Sequence, residues 1–227
     1  MVNLSTLSIA TLIVDGAAVF LLAGLIIYSR LYRGRGEPSD RLFFTMEVLT
    51  IIMAVSDGLT YILDSSTIPK AYAVSYFCNT VFYLTFETIS GFFALYLLMR
   101  LKTPKPVSMK TAIVLLLPAI AMNVMVIANL FSRFLFDVNP LTNEYVSYEL
   151  YDLIFIGPAV YGGIFLILLL KIDWTVVWLF LVLVSLRLFL GRILRDVSST
   201  ALLFAMGLVF AHIHMMGKPF REGGEAR

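Results

Sequence analysis

The sequence predicts an all-α, polytopic membrane bundle of seven transmembrane helices. The N-terminus is expected outside and the C-terminus in the cytoplasm, with one small β-hairpin-like outer loop between helices 4 and 5. Three observations lead there. Apolar residues fill 60% of the 227 positions and charged residues 14%, about half the charged share of a soluble domain. Seven apolar stretches between Leu7 and Met216 are long enough to cross a hydrocarbon core about 30 Å thick, which takes roughly 20 helical residues. Lys and Arg fall mainly on one side of those stretches. Too few polar residues remain to coat a globule in water, so a soluble enzyme domain is excluded.

The spans read 7–29, 42–63, 72–99, 111–132, 151–170, 175–194 and 198–216. Each crossing must be helical, because lipid offers no partner to a free backbone amide. After the first span come Arg30, Arg33, Arg35 and Arg41, and after the third Arg100, Lys102, Lys105 and Lys110. Lys171 follows the fifth, and Lys218, Arg221 and Arg227 lie beyond the seventh. The other side holds Lys70, Arg133, Arg192 and Arg195. Twelve against four puts the basic side in the cytoplasm. The turn at Arg192 and Arg195 runs against this trend, and there 175–216 can also be read as a re-entrant hairpin. Residues 1–217 form the membrane domain in this reading, and 218–227 a short cytoplasmic tail.

The first residues lack the basic segment of a secretory signal, so the first span is read as retained. A single cysteine, Cys78, excludes an internal disulfide and a cysteine-rich metal site. It reads as a packed thiol.

Between the fourth and fifth spans, Phe134 to Val138 is strand-like, Asn139 to Asn143 is turn chemistry, and Glu144 to Tyr148 alternates polar with apolar. Such a hairpin is marginal alone. It is expected to lie on the helix ends as a lid carrying Phe136, Asp137, Tyr145 and Tyr148.

Ionisable groups inside a membrane are costly and default to function. Here they are Asp15, Glu47, Asp57, Glu87, Arg187, His212 and His214. Glu47 is expected to snorkel to the cytoplasmic interface. His212 and His214, two residues apart, point to different faces of one helix and cannot share a metal. In the second span Asp57, Tyr61 and Asp64 share a face. In the third, Tyr76, Tyr83, Glu87 and Ser90 share another, with Asn79 and Thr80 near it. These two stripes are expected to face each other or the bundle interior. Asp57, Glu87 and Arg187 lie at comparable depth. Either an ion pair among them fixes helix register, or they line an outward-opening pocket with Tyr61 and Tyr83. In the pocket Arg187 would meet an acid group of a ligand, and Asp57 or Glu87 an amine.

No metalloprotease, serine-hydrolase or phosphate-loop pattern occurs. The seventh span has no lysine at mid-depth for a retinal Schiff base. Asp15 and Asp57 lack the glycine-flanked segment of an intramembrane aspartyl protease. No enzymatic activity, metal or cofactor is expected.

The layout resembles the bacterial seven-helix N-terminal sensor modules that precede diguanylate cyclase or histidine kinase domains. The resemblance rests on seven compact spans, the polar stretch Asp57 to Asp64, the aromatic third helix from Phe82 to Leu98, and the outer insert from Phe134 to Tyr151. It implies reception of an outside signal and relay inward, homodimerisation, and residence in the bacterial inner (plasma) membrane as a multi-pass protein. Output would run through a cytoplasmic signalling partner or through an effector domain from which this sensor was excised. The function expected is that of a receptor for an extracytoplasmic small molecule or peptide. The alternative is a small transporter or channel using the intramembrane carboxylates; single prolines at 118 and 158, unmatched between halves, weigh against transport. Besides the lipid bilayer, no nucleic acid is expected as a partner.

Overall fold

The computed structural model describes residues 6–32, 38–64, 66–100, 107–172 and 200–216. Among these, five helices are long and apolar enough to cross a membrane, and one small two-stranded sheet stands beside them. The predicted sixth span, 175–194, with Arg187, lies outside the described residues, as does the tail.

Helix α1 (Thr6–Tyr32) buries Ala18, Leu22 and Leu25 and leaves Ile13, Phe20 and Ile27 exposed. An apolar stripe turned inward and another turned outward is what a peripheral membrane helix requires. Helix α2 (Pro38–Leu63) starts on a proline, which is suited to the first helical position because its missing N–H would have no intrahelical partner there. Asp40 in the first turn favours the positive end of the helix dipole.

Helix α3 (Ala71–Arg100) is the central element, in contact with α2, with the two following helices and with the first strand. It carries many polar side chains, and most are spent within the helix. Asn79 donates to the Ser75 carbonyl, Thr80 to Tyr76, Thr85 to Val81, Thr88 to Leu84 and Ser90 to Phe86. Bonding back to the preceding turn makes these residues tolerable in lipid.

Helix α4 (Met109–Ser132) is capped by Ser108, whose hydroxyl accepts from the Thr111 N–H, and contains Pro118. It ends at Arg133 in the left-handed region, φ 47°, with the Arg133 N–H closing on the Asn129 carbonyl. Strands β1 (Phe136–Val138) and β2 (Tyr145–Ser147) pair antiparallel, with Phe136 opposite Ser147 and Val138 opposite Tyr145. The expected strand-like start at Phe134 begins two residues later.

The next crossing was expected as helix from residue 151. It opens instead as a 3-10 segment, Glu149–Phe155, and becomes helix α5 (Ile156–Ile172) just before Pro158. Proline supplies no N–H and is compatible only with the first turn of an α-helix. Helix α6 (Thr200–Met216), on the predicted seventh span, packs on α1 and α2 through Ala201, Ala205, Leu208 and Ala211. Alanines one turn apart let helix backbones approach closely where no hydrophobic effect drives them together.

Candidate functional site

The hairpin is bolted to the helix ends by named polar contacts. Asn129, fully buried in the last turn of α4, donates to the Phe136 carbonyl at 2.9 Å and accepts from the Leu135 N–H at 2.7 Å. Its amide also donates to the Tyr76 hydroxyl, which donates in turn to the Asn129 carbonyl at 2.7 Å. One side chain thus joins α4, the first strand and α3. At the hairpin turn, Asn143 adopts φ 59°, a conformation Asn tolerates better than most residues. Its amide reaches the Ser66 carbonyl in the α2–α3 turn at 2.6 Å. Asp64 accepts from the Tyr145 N–H at 3.1 Å.

Beneath the hairpin stands an aromatic cluster. The hydroxyl of Tyr83 lies 2.8 Å from that of Tyr151 and 3.2 Å from that of Tyr145. Phe136 is fully buried and stacks on the Tyr145 ring, with Tyr76 and Tyr83 against its other sides. Burial, and after it the neighbouring Tyr151, pushes the Tyr145 hydroxyl well above its ordinary value.

The four residues expected on the lid therefore divide. Phe136 and Tyr145 face the bundle. Asp137 pairs with Arg133 at 2.9 Å and accepts from its neighbour's N–H. Tyr148 is exposed.

Glu87 and Asp57 have different neighbours in the structure. The α3 stripe turns toward α4, α5 and the hairpin. Fully buried Glu87 lies where a side chain on Gly157 of α5 would run into it, and the same imagined Cβ would stand 2.9 Å from Met122 of α4. Asp57 is buried on α2. Next to it Gly58 brings the α2 backbone onto Leu12 and Asp15, its imagined Cβ 3.6 Å from an Asp15 oxygen. Tyr61, one turn beyond Asp57, is half-buried. Arg187 lies outside the described residues, so its place relative to either acid is not part of this geometry.

Glu47 is fully buried rather than snorkelling, because α2 begins at Pro38 and not near residue 42, which sets Glu47 more than two turns inside. His212 and His214 lie on α6. Among the described residues no group of three metal-ligating side chains forms.

Sequence reasoning passed over Asn129, Gly157 and Tyr161, and read Asn143 only as a turn residue. Asn129 carried a signal, since an asparagine in an apolar run must find partners. Tyr161 has its own. Its hydroxyl accepts from the Ala119 N–H at 3.1 Å and donates to the Leu115 carbonyl at 3.0 Å, entering the α4 ladder beside Pro118. Comparison with protein-family models, with curated proteins and with solved structures yields no match.

Proposed function

We propose that this chain is the membrane-embedded part of a receptor, with seven spans, the N-terminus outside and the C-terminus in the cytoplasm, seated in a bacterial inner membrane. The observation that carries the reading is the hairpin latch. Asn129, Asn143, Asp64 and Tyr83 tie a single loop to α2, α3, α4 and the turn that connects the first two of these. A small molecule or peptide competing for one of these bonds would change the relation of the loop to several helices at once. A ligand moves such an equilibrium only by binding one arrangement better than the other.

The ligand would approach under the hairpin, toward Tyr61 and Tyr83, with Asp57 deeper and Arg187 available to an acid group. Glu87, enclosed by Gly157 and Met122, is assigned to the transition between arrangements rather than to first contact. The twelve-to-four distribution of Lys and Arg supports the orientation. The resemblance to seven-helix sensor modules supports relay to a cytoplasmic partner and homodimerisation.

Orientation is tested by single cysteines, placed at Leu141 and in the tail after Cys78→Ser, in intact cells. A membrane-impermeant maleimide should label Leu141→Cys and not the tail; the reverse pattern overturns the topology. Function is tested on purified protein. Candidate extracellular metabolites and peptides are screened for one that raises the thermal midpoint and changes hydrogen exchange in 135–151.

The buried acids Asp15 and Asp57 favour a second reading, a small cation-coupled transporter. Flux into proteoliposomes that is lost with Asp57→Asn would select it over the receptor.

A further inference from the structure

Helix α3 and the crossing that ends in α5 touch along one seam, and the contacts advance together on both. Tyr83 meets Tyr151, Glu87 meets Gly157, Gly91 meets Tyr161 and Phe93 meets Phe165. Each helix sends a polar side chain into a glycine of the other. The Tyr161 hydroxyl stands 3.1 Å from the position a Cβ would take on Gly91, and Glu87 fills the space a Cβ on Gly157 would need. The two insertions are chemically unequal. The Tyr161 hydroxyl is fully used, accepting from the Ala119 N–H and donating to the Leu115 carbonyl. Glu87 is fully buried, and neither of its carboxyl oxygens has a hydrogen-bond partner among the described residues.

The described surroundings supply no cation for it. Helix α4 carries no charged side chain between Lys110 and Arg133, at its two ends. Beside Met122, Asn123 spends its amide on the Thr88 hydroxyl at 2.9 Å, and its own buried oxygen has no partner among the described residues. The 3-10 segment and α5 bring Glu149, Tyr151, Asp152, Tyr161 and, at the far end, Lys171. The first strand brings Asp137, paired with Arg133. Glu47 and Asp57, the buried acids of α2, have interactions of their own. A carboxylate moved from water into such a place is strongly disfavoured unless a cation and hydrogen bonds go with it. A neutral carboxylic acid escapes most of that penalty. The hairpin side is shut as well. One turn above Glu87, the Tyr83 hydroxyl is held by Tyr151 at 2.8 Å and Tyr145 at 3.2 Å.

We propose that Glu87 is an occluded proton-binding site. It holds a proton while α5 packs on α3. It gives the proton up when the 3-10 segment and the start of α5 part from α3 and water enters from the hairpin side. The O–H bond of the acid breaks, its electron pair stays on the carboxylate, and the proton leaves as hydronium; the reverse step reloads the site. A bare carboxylate resists return to the closed seam, so proton loss favours the parted arrangement and links pH on the hairpin side to the latch. The site deepens the receptor reading and rests on its assignment of Glu87 to the transition between arrangements. Its test contains no organic ligand, so its failure leaves the latch and the ligand screen standing.

Infrared difference spectroscopy of the full chain in detergent, wild type minus Glu87→Gln, reads the acid itself. At neutral pH wild type should show the carbonyl-stretch band of a neutral carboxylic acid, which the variant lacks. In deuterium oxide that band shifts as O–H becomes O–D, and in wild type the shift should lag behind exchange of the exposed amides. Tyr151→Phe removes one tie across the seam, and there the shift should come about fivefold sooner, the equivalent of about 1 kcal/mol. A carboxylate band in place of the acid band, the mark of a paired cation, overturns the proposal. So does an acid band that shifts at once in wild type, or one whose rate Tyr151→Phe leaves unchanged. If Glu87→Gln does not fold, a Glu47→Gln chain carrying carbon-13 glutamate decides. Glutamates outside the membrane spans are ionised at neutral pH, so a neutral-glutamate band in that chain belongs to Glu87, and its absence refutes the site.

Discussion

The phenol of Tyr161 completes a rung of another helix: Ala119 donates to its oxygen, and its own proton goes to the Leu115 carbonyl. Pro118 explains the need. It has no N–H for the Val114 carbonyl, and its ring pushes the preceding turn away, so the next rung opens and a side chain enters it, a recognised cause of helix bending. The same hydroxyl stands 3.1 Å from the position a Cβ would take on Gly91 of α3. Three helices therefore meet at one phenol.

Tyr161→Phe should leave a carbonyl and an amide unsatisfied in α4. Each such buried group costs about 1–3 kcal/mol, and a lower thermal midpoint in detergent is the expected result. In a Pro118→Ala background α4 can close its own rungs, so the same substitution should cost distinctly less. Additive losses in that double-mutant cycle would show that the bridge does not serve the proline break.

Asn129→Ala removes the buried side-chain ties from α4 to the Leu135 and Phe136 backbone and leaves the exposed Arg133–Asp137 pair in place. Hydrogen exchange should quicken at the Leu135 and Phe136 amides and across the hairpin, while α1 and α2 keep their protection. Equal loosening everywhere would mean that Asn129 supports the whole bundle rather than the latch.

Gly157→Ala places a methyl group into Glu87. Forcing an extra carbon into a packed site costs about 1–3 kcal/mol. Shortening the acid should relieve the collision, so Glu87→Ala with Gly157→Ala should be less harmful than the two single losses summed. A sum without coupling would disprove the contact.

Alkaline pH should release the hairpin. The Tyr145 hydroxyl, pushed upward first by burial and then by Tyr151, holds its proton more tightly folded than unfolded. Stability from that difference is whole below the ordinary tyrosine value of 10.0 and is lost as pH rises above it. Wild type should therefore lose stability above about pH 10, and Tyr145→Phe should lose less over the same interval. Phenolate absorbance followed together with the thermal midpoint reads both quantities.

Much of the helical layout was legible in the chain. Lipid forces each apolar crossing into a helix, so the length and composition of the stretch at 111–132 were enough to predict α4 within two residues. Turn chemistry at Asn139, Pro140 and Asn143 announced a hairpin for the same local reason. Glu47 was misplaced because helix ends are soft in sequence, and a start four residues earlier carries a side chain a full turn deeper. The candidate site was less legible. Periodicity shows which residues share a face but not which neighbour that face meets, so nothing in the sequence announced that Glu87 lies against Gly157 or that Gly58 lies against Asp15.

From its sequence alone this protein was determined to be a helical membrane bundle with polar residues set into otherwise apolar spans, because hydropathy and backbone hydrogen bonding act locally along the chain. Only the tertiary structure decided that Gly58 meets Asp15, that Glu87 meets Gly157, that Asn129 grips the hairpin and that Tyr161 mends α4. Those pairings depend on how each helix is rotated about its axis. That rotation is set by the packing of small residues such as Gly58, Gly91 and Ala205 against their neighbours, contacts between positions far apart in the chain.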